Sequence, residues 1–227
     1  MARYFQRGLA CDKGLAAVVC LLLVAVCVDS AWAQRGRGFR RMFGISKAQI
    51  ASLPEVQTEL KMTDEQKSRV DEINGQLGED RRELFGTGFD RWNEIRGQVE
   101  QLNRDASKQV DDLLDEPQRK RLLEISIQQN GPRALNDPDV IAELKLSDEQ
   151  KAKLAAADDD NNKAFEKAVE DSGRDNWRQR VGELGEEADK RLLGVLNEDQ
   201  QKQFEKLGGE PFNVDLSQLF RGRRGGR

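Results

Sequence analysis

The chain is predicted to be all-α: two duplicated helical-hairpin units packed into one elongated helical domain, with disordered Arg/Gly tails. Three observations predict this. A fourteen-residue segment recurs 84 residues later. Helix-start signals stand at matching places in the two copies. Apolar residues between them recur every three or four positions, and strand signals are nearly absent.

The duplication is the most informative feature. Residues 54–67, PEVQTELKMTDEQK, return as residues 138–151, PDVIAELKLSDEQK, with nine of fourteen positions identical. A second pair lies at an offset of 82: Leu114-Asp-Glu-Pro-Gln118 against Leu196-Asn-Glu-Asp-Gln200. In the helix before each, Val99, Leu102, Ala106 and Leu113 match Val181, Leu184, Ala188 and Val195. Asp90-Arg91-Trp92 and Asp175-Asn176-Trp177 form a third pair, shifted by a small insertion. The unit is therefore ~80 residues and occurs twice.

Each element follows from local chemistry. Pro54 and Pro138 suit a first helical position, where no amide donor is needed. Asp137 is a good N-cap for the second. Thr63 with Gln66, and Ser147 with Gln150, have capping-box spacing: the hydroxyl accepts from the amide three residues on, and the Gln reaches back. Asp115 with Gln118 and Asn197 with Gln200 offer the same signal with an Asx cap. Asp64, Glu65, Asp148 and Glu149 favour the positive end of the helix dipole. Ile95, Val99, Leu102, Ala106, Val110 and Leu113 form one apolar stripe; Val181, Leu184, Ala188, Leu192 and Val195 form its counterpart. Such narrow stripes suit two helices side by side, in coiled-coil fashion. Breaks are expected at Gly86-Thr-Gly88, Asn130-Gly-Pro132, Ser172-Gly173 and Gly208-Gly209. Each unit should hold two long helices, a short third helix and a brief lead-in helix. With 37% hydrophobic residues, neither half has much core alone, so the copies should pack on each other.

The ends read differently. Residues 1–33 have the form of a secretory signal peptide: Arg3, Arg7 and Lys13, an apolar run from Leu15 to Val28, then Ala31-Trp32-Ala33. The apolar run is shorter than the ~20 residues of a membrane span. Val19 and Val26 precede Cys20 and Cys27, where a lipoprotein signal wants a small residue. Cleavage after Ala33 leaves no transmembrane span and places the mature chain in the periplasm or cell envelope. The organisation expected is signal peptide 1–33, basic tail 34–45, helical repeat 46–134, helical repeat 135–209, and a C-terminal tail 210–227 ending basic. Between Ser46 and Gly208 there are 26 Lys/Arg against 37 Asp/Glu, a net charge of 26 − 37 = −11. The tails invert this, with Arg35, Arg37, Arg40 and Arg41 before the body and Arg221, Arg223, Arg224 and Arg227 after it. Such tails resemble nucleic-acid-binding segments, but export removes that partner. Anionic lipid or another anionic envelope surface such as polysaccharide, and the acidic body of another copy, are the contacts that fit them, with a disordered solubilising tail as the alternative. Phe212, Leu216, Leu219 and Phe220 should dock on the chain's own body.

Composition excludes most chemistry. There is no His, and Cys11, Cys20 and Cys27 all lie in the leader. No Ser-His or Cys-His pair can be assembled, and no thiolate or imidazole is available to a metal. No catalytic, cofactor or metal residue is assigned, and the chain is read as a non-enzyme. Asp158-Asp-Asp-Asn-Asn162 invites a calcium loop, but Lys163 and Val169 stand where the loop needs Gly and Glu. An acidic helix face is the better reading. Gly75, Gly78, Gly86, Gly88, Gly97, Gly182, Gly185 and Gly194 are many for helices, yet no strand precedes any pair, so a phosphate loop is not supported.

The four caps carry a resemblance. Met62-Thr-Asp-Glu-Gln66, Leu114-Asp-Glu-Pro-Gln118, Leu146-Ser-Asp-Glu-Gln150 and Leu196-Asn-Glu-Asp-Gln200 resemble the repeated motif of the LTxxQ family, the Spy/CpxP-type periplasmic proteins. The resemblance covers residues 54–207. It implies a helical, cradle-shaped periplasmic dimer with two motifs per subunit, acting as an ATP-independent chaperone or a regulator of an envelope-stress sensor. Four motifs in one chain imply a single-chain version of that dimer. The function expected is an exported helical binding protein of the chaperone or stress-adaptor kind, its partners unfolded or sensor-protein segments. A structural envelope protein tethered by its Arg-rich tails is the alternative.

Overall fold

A computed structural model of the chain describes residues 44–86, 92–171 and 177–220. Residues 1–43, with the expected signal peptide and most of the expected basic tail, residues 221–227, and residues 87–91 and 172–176, with most of the expected breaks Gly86-Thr-Gly88 and Ser172-Gly173, lie outside the described residues. The all-α expectation holds, with no strand among the described residues.

The first repeat runs α1 (Lys47–Ala51), α2 (Pro54–Glu59), α3 (Asp64–Gly86), α4 (Trp92–Leu113) and α5 (Glu116–Asn130). The second runs through a 3-10 segment (Gly131–Asn136), α6 (Pro138–Glu143), α7 (Asp148–Asp171), α8 (Trp177–Leu193) and α9 (Glu198–Leu207). A last turn, α10 (Ser217–Phe220), follows. The lead-in is helical in the first copy and 3-10 in the second. Pro132 removes an amide donor from the second. None of these helices is long and apolar enough to cross a membrane.

Lead-in, hairpin base and third helix surround one apolar core in each repeat. The first core gathers Ile50, Leu53 and Val56 with Val70 of α3, Val110 of α4 and Leu122 and Ile125 of α5. The second gathers Leu135, Val140, Leu154 of α7, Leu192 of α8 and Phe204 of α9. Helix α5 belongs to both: Leu122 and Ile125 face the first core, Ile127 and Leu123 the second. An apolar residue on either side of one helix joins the copies in tandem. At ~1.5–3 kcal/mol per fully buried aliphatic side chain, Leu122 and Ile125 of this shared helix each stabilise the first core.

The stripes fill the seams inside each hairpin. Ile95, Val99, Ala106 and Val110 are buried along α4, as are Leu184, Ala188 and Leu192 along α8. A polar rung interrupts each hairpin higher up. Arg81 of α3 donates to Asn103 of α4, and Arg191 of α8 donates to Asn161 of α7 at 2.7 Å. Arg81 Nε and Asn161 Nδ2 stay buried without a partner, so the shafts are held less firmly than the bases.

Helices α2 and α6 end in the same way. The Met62 amide donates to the Gln57 carbonyl and the Lys61 amide to Thr58, with Leu146, Ile141, Lys145 and Ala142 repeating the pattern. This is a Schellman closure, whose left-handed residue is usually Gly. Here it is Lys61 (φ 50°) and Lys145 (φ 49°). A side chain in this region costs about 1 kcal/mol. Lys61→Gly or Lys145→Gly is therefore expected to stabilise by about 0.5 kcal/mol, after the entropy Gly loses on folding. Urea unfolding checks this, and a destabilised variant would show that the lysine stem packs usefully.

The C-terminal segment folds back across the first repeat. Leu216 is buried in the first core, with Phe212, Val214 and Leu219 packed beside it. The Phe212 amide donates to Gln128 Oε1 at 2.8 Å, and Gln128 Nε2 donates to the Glu210 carbonyl at 2.8 Å. Arg121 lies 5.7 Å from the Phe212 ring centroid and bonds Glu59 and Glu124. Gly209 begins this strap at φ +60°, where a Cβ would also push the Glu124 side chain aside, so Gly is favoured there. Within the C-terminal segment expected from 210, the strap up to Phe220 belongs to the described fold, and 221–227 lie outside the described residues. At the other end Ile45, placed in the basic tail, is buried in the first core.

Candidate functional site: the inter-repeat cleft

The caps do more than start helices. Each box forms as expected, with Gln66 Oε1 accepting from the Thr63 amide at 2.9 Å. The amide end then reaches across the repeat: Gln66 Nε2 donates to the Leu113 carbonyl at 3.0 Å and to Gln118 Oε1 at 2.8 Å. Gln118 returns the bond at 3.2 Å and donates to the Leu60 carbonyl at 3.0 Å. Gln150 and Gln200 repeat this with the Val195 and Leu144 carbonyls. A capping box alone accepts Glu or Gln; this bridge needs the donor that only Gln carries. The absence of Glu at all four positions was the sequence signal for it. A fifth box, Ser46 with Gln49, starts α1 immediately after the expected tail boundary.

With the bases locked in this way, the two hairpins stand apart. A cavity of about 920 Å³ opens between α4 and α7. Val99 and Asn103 line one wall, Leu154, Asp158 and Asn162 the other, and Lys47, Arg133 and Asp137 the floor. Eight carboxylates and seven cationic side chains line it, so its charges nearly balance, with apolar side chains such as Val99 and Leu154 between them.

Two charged clusters shape the floor. Lys47 of α1, 5% exposed, lies 2.6 Å from Asp111 of α4, 2.6 Å from Asp139 and 3.6 Å from Asp137. Burial disfavours its ammonium, but Asp137 and Asp111 outweigh this and hold it above the ordinary lysine range. Burial raises the Asp111 and Asp137 carboxyls, with Lys47 pulling against it. This cluster ties the first repeat to the start of the second. The other centres on Arg133, which rises from the 3-10 segment towards Asp158, Asp189 and Glu100. Burial lowers its pKa against the pull of those acids, and its Nε has no hydrogen-bond partner. Arg96 closes the top, 3.4 Å from Asp159 across the cleft.

The acidic run divides accordingly. Asp159 and Asp160 are exposed, as an acidic helix face requires, but Asp158 turns into the cleft and Asn161 into the hairpin. No group of side chains that could hold a metal ion occurs among the described residues. The helical glycines 75, 97 and 182 stand in open space. Sequence reasoning missed Lys47, Arg96 and Arg133, since nothing local separates them from surface cations.

Comparison with protein-family models, with curated proteins and with solved structures finds no match to this chain.

Proposed function

We propose that the chain is an exported, non-catalytic helical binding protein of the envelope, and that the inter-repeat cleft holds a polar, charge-bearing segment of a partner protein. The cleft is the observation that carries this reading: about 920 Å³ between two rigidly based hairpins, with cations and carboxylates on every side. Alternating charges select a segment of complementary pattern, giving specificity more than raw affinity. The LTxxQ-like caps add the resemblance to periplasmic chaperones and stress regulators. Between these, the buried stripes favour the adaptor. A holdase needs exposed apolar area, and Ala106, Val110, Leu184 and Leu192 spend theirs inside the hairpins.

The test has two arms. A denatured client diluted into residues 34–227 should aggregate as it does alone. A photo-cross-linker at Asn162 should trap a partner in cells, while one at the exposed Glu72 should not. Stoichiometric protection of the client would return the reading to a chaperone. Equal trapping at both positions would remove the cleft as the site.

A further inference from the structure

We propose that the two hairpins are arms that open and close over the cleft, latched by two arginines, Arg96 and Arg133, each of which draws carboxylates from both hairpins. The gate this makes rests on the cleft being the binding site; the motion itself does not. Arg96 leaves α4 of the first hairpin and lies 3.4 Å from Asp159 of α7 in the second, with Glu100 of its own helix 3.7 Å away. Arg133 rises from the cleft floor among Glu100 of α4, Asp158 of α7 and Asp189 of α8.

The arms are fixed at their bases by the two cores and the glutamine bridges, and the latch acts higher up. Arg96 stands seventeen residues above the base end of α4 at Leu113, and Asp159 eleven above that of α7 at Asp148. At about 1.5 Å per residue these heights are about 26 Å and 17 Å. A tilt of about 10° then parts the arms by about 3–5 Å at this level, more than an ion pair can span. The shafts yield easily. Gly75 and Gly97 of the first hairpin and Gly182 of the second have no atom within 4 Å of where a Cβ would stand. The rungs at Arg81 and Asn161 leave buried nitrogens without partners.

Closed and open states are close in free energy. Arg96 is 25% exposed and Asp159 63%, and a pair so exposed shifts a population about fivefold at most. The Nε of Arg133 is buried without a hydrogen-bond partner, which water or a partner's carbonyl supplies on opening. Two arginines face four carboxylates here, so loss of either arginine turns attraction across the cleft towards repulsion. A partner segment that draws Arg96 or Arg133 to its own carbonyls or carboxylates therefore releases the arms and shifts them to the open state it binds.

The experiment is pulsed electron spin resonance on residues 34–227, which hold no cysteine, with spin labels at Glu83→Cys of α3 and Lys167→Cys of α7. Both positions are exposed, and each lies nineteen residues above the base end of its helix. The labelled parent should show a short and a long distance, the short one dominant at low salt. Arg96→Gln should raise the long-to-short ratio about fivefold, and Arg96→Lys, which keeps the charge, should stay near the parent. Arg104→Gln removes a cleft cation that bonds Gln101 of its own helix at 2.8 Å, and should change nothing. About 0.5 M salt should lengthen the parent and leave Arg96→Gln as it is, so the labelled parent alone already tests the latch. One fixed distance in the parent at both salt concentrations, or an Arg96→Gln distribution matching the parent, would overturn the gate. All distances are read on the free protein. Trapping at Asn162 with motionless arms would therefore keep the binding site and remove the gate, whereas moving arms without trapping would uphold the latch and remove the site.

Discussion

Replacing Gln66 by glutamate is expected to destabilise the fold by about 2–3 kcal/mol at neutral pH. The substitution keeps the acceptor that caps α3 but removes the donor. A carboxylate oxygen then faces the Leu113 carbonyl, 3.0 Å from the present nitrogen, and Gln118 Oε1, 2.8 Å from it. Two hydrogen bonds are lost at ~1 kcal/mol each, and half-buried acceptors are left opposed. The sign of the pH effect follows. The new carboxyl is more easily protonated in the folded state, so its folded pKa lies above the unfolded value near ~4.3. Such a group favours folding as pH falls, and the deficit should shrink through the acidic range. Urea unfolding at two pH values measures this, with the exposed Gln98→Glu as a control within about 0.5 kcal/mol of the parent. A Gln66→Glu protein as stable as that control would show that the bridge adds nothing.

Lys47→Met should cost more, about 3–5 kcal/mol, because it leaves carboxylates stranded. The ammonium lies 2.6 Å from Asp111 and from Asp139, and 3.6 Å from Asp137. Asp139 is 55% exposed and can turn to water; Asp111 and Asp137, at 20% and 16%, cannot do so fully. The lower end of the range is therefore expected. Burial already raises both carboxyls with Lys47 present. Without it they rise further, so acidification should restore the variant relative to the parent. Adding Asp111→Asn and Asp137→Asn should recover most of the loss, and Asn at 137 still caps α6. Failure of that triple variant to recover would place the value of Lys47 in its buried stem and not in its charge.

The legible part of this fold is its local part. Thr63 with Gln66 and Asp115 with Gln118 could be read as caps because donor and acceptor lie three residues apart. The seam of α4 could be read because Val99, Ala106 and Val110 recur with the helical period. Apolar residues in the C-terminal segment signalled that it would dock, but not where. Gln66 could not be joined to Gln118, 52 residues on, because a capping box looks the same with or without a second partner. Helix α5 hid its role because apolar residues on two faces give no single stripe.

The sequence by itself determined most of the helix starts, the duplication, the separation of an acidic body from basic ends, and the lack of His for chemistry. These rest on interactions within about one helical turn, or on composition alone. Only the tertiary structure decided that one helix serves two cores, that Lys47 binds acids from both repeats, that a cleft stands between the hairpins, and that the strap returns to the first repeat. Each of those pairs groups far apart along the chain. Their partners are chosen by shape and by the burial of charge, which no periodicity records.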